Sequence, residues 1–103
     1  MSDCFGSFGC SLNKYYYDKA CEAYEKALET ATKIRDETRR LETSIGYAGF
    51  MRNSRLGDQK KALEKLSSAL SEANLATEKD DDLLKSIKLA KKIVKKWARG
   101  EDD

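Results

Sequence analysis

From Tyr17 onward, apolar and small residues fall at alternating steps of three and four: Ala20, Tyr24, Ala27, Ala31, Ile34, Thr38, Leu41 and Ile45. That heptad spacing keeps one residue of every step on a single side of an α-helix, and a strand, with its period of two, would scatter the same residues over both faces. No proline occurs anywhere in the 103 residues to break the run. One long helix is therefore expected from about Asn13 to Ser44, roughly 45 Å at the helical rise. Ala20, Ala23, Ala27 and Ala31 leave little side chain to fill a gap, so a helix packed on the first half must approach closely, and Tyr17 and Tyr24 supply the bulk.

Beyond Ser44 the pattern falters at Gly46 and Gly49, each of which costs a helix about 1 kcal/mol relative to Ala. Ile45, Tyr47, Ala48, Phe50 and Met51 are nonetheless too apolar for an exposed loop, so a shorter or bent helical piece is expected over 45–55. Gly57 can close that helix and Asp58 can accept the first free amides of the next, which marks a turn at 56–58. Ala62, Leu63, Leu66, Ala69, Leu70 and Ala73 then form one face of a helix running from about Gln59 to Thr77. Leu83, Ile87, Ala90, Ile93, Val94, Trp97 and Ala98 form one face of a last helix over 82–99, with Trp97 and Ile93 as core anchors. Asp80, Asp81 and Asp82 at its start and lysines at its end suit the helix dipole, and Gly100 lies just past its end.

The expected fold class is thus all-α: a small antiparallel helical bundle or helical-hairpin array with one long N-terminal helix. Residues 13–100 make a single helical domain, since a chain of this length rarely builds two cores. Residues 1–12 hold Ser2, Gly6, Ser7, Gly9 and Ser11 and little charge, and are expected to be a flexible or loosely docked arm pinned by Phe5 and Phe8. Residues 101–103 form an acidic tail.

Charge is uneven along the chain. The formal net charge is +2 with 37% charged residues, yet the basic excess is concentrated between Asp81 and Arg99. On the last helix Lys85, Lys88, Lys92, Lys95 and Lys96 project opposite the apolar stripe. No apolar run approaches the roughly 18 residues that cross a bilayer, and the first residues lack the basic-then-apolar layout of a secretion signal. A soluble, cytoplasmic protein with no membrane partner is the expectation.

Chemistry is constrained by what is missing. With no His, the commonest general base and the commonest metal ligand are both absent. Cys4, Cys10 and Cys21 are an odd set, and reduced thiols are the default without export. The spacing of Cys4 and Cys10 suits a small disulfide ring or a soft metal as well as two idle thiols, but structural zinc asks for four ligands. Cys21 reads as a core filler, having no His to activate it. No phosphate-cradling glycine loop or nucleophile elbow is present. The chain is expected to be no enzyme, to hold no metal or cofactor, and to take no small-molecule substrate.

The segment Tyr17-Asp18-Lys19-Ala20-Cys21-Glu22-Ala23-Tyr24-Glu25-Lys26-Ala27-Leu28-Glu29 resembles the second helix of a tetratricopeptide repeat, and Gly57-Asp58-Gln59-Lys60-Lys61-Ala62 with Leu66, Ala69 and Leu70 is similar to the same helix after its Gly-Asp turn. The resemblance covers about 30 residues, uses common helix formers, and lacks both the proline that follows such helices and a first helix before Tyr15. It implies a helical scaffold that binds a peptide or protein in a groove.

Binding is therefore the expected function: a non-enzymatic protein–protein interaction module, acting as a small adaptor, regulator or inhibitor, in a hetero- or homo-oligomer. The heptad seam is longer than the later helices can cover, unless the 45–56 segment folds back over the remainder. Candidate partner-binding residues are Tyr17, Tyr24, Lys85, Lys88, Lys92, Lys95 and Lys96. The alternative is a nucleic-acid-binding accessory protein that meets phosphates with the lysine face, with Lys14 beside Tyr15 and Tyr16 as a stacking surface. Against it stand a single Arg on that helix and the acids that flank it.

Overall fold

The computed structural model describes residues 6–100, with side chains from Asn13 onward. Four α-helices follow one another, α1 (Gly6–Lys33), α2 (Glu37–Asn53), α3 (Gln59–Asn74) and α4 (Asp81–Ala98), with no strand among the described residues. The all-α class expected from the apolar stripes is what the chain adopts. No described helix is long and apolar enough to cross a membrane.

The break between the first two helices falls at 34–36 and not at 44–45 as expected. α1 stops at Lys33, and Arg35 turns the chain through a left-handed conformation at φ 57°, where the amide of Asp36 donates to the carbonyl of Ala31 at 2.9 Å. Asp36 then caps α2, its side chain accepting from the amide of Arg39 at 3.0 Å. The heptad phase runs through this turn unbroken, so periodicity alone could not reveal it. α1 also starts earlier than expected, at Gly6 rather than Asn13, so the segment 6–12 of the expected arm is helical. Gly and Ser cost a helix at most about 1 kcal/mol each, and extending an existing helix avoids the nucleation cost. Residues 1–5 and the acidic tail lie outside the described residues.

The remaining boundaries follow local chemistry. Gly46 and Gly49 sit inside an unbroken α2, because Leu41, Tyr47, Ala48 and Met51 bury its inner side and hold it helical. The turn falls at 56–58 as expected. A Cβ at Gly57 would lie 1.8 Å from the carbonyl oxygen of Met51, so only glycine fits there, and Asp58 accepts from the amides of Lys60 at 2.9 Å and Lys61 at 3.1 Å. α3 ends at Asn74, short of Thr77, and leaves Leu75 exposed. Asp80 caps α4 through the amide of Leu83 at 2.8 Å. Gly100, at φ +79°, takes the left-handed position after α4.

Sequential helices run antiparallel, and α2 is the hub, touching α1, α3 and α4. Pairing of Glu42 with Ser86 and of Arg52 with Trp97 shows that α2 and α4 lie side by side and parallel. The core is formed by Leu41, Tyr47, Met51, Leu66, Leu83, Ile87 and Trp97 around alanines 48, 62, 73 and 90. Ala98, expected on the buried face of α4, is exposed. The radius of gyration of 15.5 Å exceeds the roughly 13 Å of a compact 100-residue domain. The excess comes from α1, which is about 42 Å long against about 25 Å for α2 and packs its backbone closely on α2 alone.

Candidate interaction site

Tyr17 and Tyr24 are half-buried, each stacked on a ring of α2. Tyr17 stacks on Phe50 with ring centroids 5.2 Å apart, Tyr24 stacks on Tyr47 at 5.0 Å, and Tyr24 also leans on Phe50. The side of α1 that packs on α2 carries Tyr17, Cys21, Tyr24, Leu28 and Ala31, a register that uses Cys21 and Leu28 where the sequence pattern suggested Ala20 and Ala27. Thus the segment after Asp36 folds back over the aromatic seam and leaves both tyrosines half-buried against it. Cys21 is half-buried in this interface, as a filler would be.

A polar cluster completes the junction of α1, α2 and α3. The Tyr47 hydroxyl donates to Glu25 at 2.9 Å, Lys65 pairs with Glu25 at 3.3 Å, and the Lys65 ammonium lies 5.0 Å from the centre of the Tyr47 ring. Arg40 bridges to Glu72 on the same side. Burial, then the hydrogen bond to Glu25 and its negative charge, push the Tyr47 phenol well above its ordinary range. A phenol whose folded pKa is raised contributes stability that is fully present below about pH 10 and is lost as pH rises further, at up to about 1.4 kcal/mol per pH unit. Tyr47→Phe is expected to cost roughly 1–2 kcal/mol at neutral pH and to lose less stability than the parent above pH ~10. Denaturant midpoints at neutral and alkaline pH check this, and parallel alkaline losses in both proteins would refute it.

α1 carries a second apolar strip, about 100° round the helix from the first. Tyr16 (65% exposed), Ala23 and Ala27 line it, Ile34 (57% exposed) follows in the turn just past Lys33, and no other described helix covers the three on α1. At its N-terminal end the strip opens into a cleft of about 580 Å³ walled by Tyr16, Tyr17, Ala20, Phe50 and Leu56. Ala27 and Ile34, expected in the covered seam, are on this open side instead. The signal for a second strip was present in the apolar steps 16, 20, 23, 27 and 34, but only the position of α2 shows which strip is covered.

The lysine face of α4 is where the sequence placed it. Lys85, Lys88, Lys92 and Lys95 are exposed on one side of the helix, and Lys91, missed earlier, joins them. None of these five has a carboxylate partner among the described residues, whereas Lys96 is half-buried and engaged. Leu84 (47% exposed) and Leu89 (50% exposed) are exposed on α4 beside these lysines. The structure gathers these lysines on one face and leaves them apart from α1, which α4 does not touch.

Among the described residues no three His, Cys, Asp or Glu side chains group as a metal site would require. Protein-family models, curated proteins and solved structures yield no match to this chain.

Proposed function

We propose that the chain is a non-enzymatic protein–protein interaction module: a small adaptor, regulator or inhibitor of a partner protein, able to self-associate. The observation that carries this reading is the second apolar strip of α1, with its cleft at Phe50 and Leu56, which nothing in the described chain covers. A helix apolar on two sides and packed on one has an unsatisfied side, and a partner helix or peptide removes that surface from water. The resemblance of Tyr17–Glu29 to a tetratricopeptide helix supports the same reading. The test compares the parent with Ala23→Arg/Ala27→Arg, two exposed changes that leave the Tyr17, Tyr24 and Leu28 contacts alone. A partner retained by the parent and lost by the variant, with helix content equal in both, is expected. Equal capture by the two proteins would overturn the reading.

The five lysines of α4 that have no carboxylate partner among the described residues favour a second reading, a nucleic-acid-binding accessory protein. Phosphate contacts by this face would make affinity fall steeply with salt. Changing Lys88, Lys92, Lys95 and Lys96 together to Gln would then flatten that dependence by a few units of slope. Absence of any shift with single- or double-stranded DNA at about 50 mM salt would eliminate it.

A further inference from the structure

Two faces of this chain match in length and oppose in charge, and they cannot meet within one copy. On α1, Asp18, Glu22, Glu25 and Glu29 recur at steps of four and three, so they share one side of the helix over about 16 Å. All four are half or more exposed, and each is held by one lysine: Lys14 at 3.0 Å, Lys19 at 3.8 Å, Lys65 at 3.3 Å and Lys33 at 3.4 Å, respectively. Exposed pairs of this kind contribute little and exchange readily. On α4, Lys85, Lys88, Lys92 and Lys95 recur at steps of three and four over about 15 Å, with no carboxylate partner among the described residues. Because α2 and α3 stand between them, α1 and α4 make no contact.

We propose that the lysine face of α4 in one copy docks on the acidic stripe of α1 in another, so that the chain self-associates head to tail. The proposal rests on the reading of the chain as an interaction module and names a second copy as the partner of this face. The apolar content of the two surfaces agrees with their charge. A shallow groove runs along the acidic stripe, lined by its four carboxylates with Cys21 and Lys26, and Leu84, beside Lys88 and Lys91, is an exposed apolar group that can pack on Cys21 there. The contact uses different surfaces on the two copies, so each docking leaves one α1 and one α4 free, and growth continues unless a ring closes. Affinity carried by exposed charges is modest and sensitive to salt.

The test is sedimentation of the full chain across a range of concentrations, at about 20 mM and about 500 mM salt. Expected at low salt is a mean mass that rises with concentration above the 11.6 kDa of one chain, and at high salt a return to that mass. Glu22→Lys/Glu29→Lys on α1, which spares the Tyr47 partner Glu25, and Lys88→Glu/Lys92→Glu on α4 should each weaken self-association about tenfold or more. Mixed in equal amounts, the two variants should associate again to within about threefold of the parent, since each then offers the charge the other has lost. If either reversal loses helix content, Glu22→Gln/Glu29→Gln and Lys88→Gln/Lys92→Gln take their place, with a smaller loss expected from each. A parent that stays at one-chain mass at low salt, an association indifferent to salt, or a mixture that fails to recover overturns the proposal. So does a monomeric parent whose lysine face shifts duplex DNA, which would assign that face to phosphates. The module reading is judged separately: a monomeric parent that still captures a partner through Ala23 and Ala27 keeps that reading while head-to-tail assembly falls.

Discussion

Replacing Trp97 with Ala is expected to cost about 3–5 kcal/mol, a large share of the roughly 5–15 kcal/mol that holds a small domain together. The indole is 7% exposed and belongs to the core with Met51, Leu83, Ile87 and Ala90. The Arg52 guanidinium lies 5.0 Å from its ring centre, so truncation also removes a contact that ties α4 to α2. Its Nε1 has no hydrogen-bond partner among the described residues. Trp97→Phe, which keeps most of the apolar area and removes that N–H, should therefore cost only about 1–2 kcal/mol. Chemical denaturation of the two variants checks the order. A Trp97→Ala protein that melts with the parent while losing a partner would place Trp97 at an interface instead.

Leu66→Ala is expected to cost about 2–5 kcal/mol. Leu66 is 0% exposed and, with Leu41 at 1%, is one of the two largest fully buried side chains. It lies on α3, the helix that α2 and α4 share, and a chain with so few large buried residues has little to collapse into the space left. The expected sign is a lower denaturant midpoint with an unchanged slope. A loss below about 1 kcal/mol would mean that the helices close over the gap.

Both residues were legible in the sequence because each belongs to a stripe whose neighbours agree with it. Leu66 recurs with Ala62, Ala69 and Ala73, and Trp97 with Leu83, Ile87, Ala90 and Val94. The turn at 56–58 was legible for the same kind of reason, since a glycine followed by a capping Asp acts locally. The lysine face of α4 was legible as the complement of the apolar one.

The reversal at Ile34–Asp36 was not legible. Ile-Arg-Asp opposes a helix only weakly, and the heptad phase of α1 happens to continue into α2 across it. What decides the reversal is contact made only after the chain has turned: Tyr17 on Phe50, Tyr24 on Tyr47, and the Tyr47 hydroxyl on Glu25. The same contacts half-bury Tyr17 and Tyr24, and leave Tyr16, Ala23, Ala27 and Ile34 as the open side.

By itself, then, the sequence determined that the chain is helical, where α3 and α4 lie, which of their faces are buried and where the positive charge gathers. These follow from period and capping, which act within a few residues of one another. Only the tertiary structure decided where the first helix ends, which of its apolar strips is covered, and that the acidic stripe of α1 and the lysines of α4 stay apart. These depend on aromatic and apolar contacts between residues about 20 or more apart in the chain, whose energy exceeds the small local preference that would have kept the helix straight.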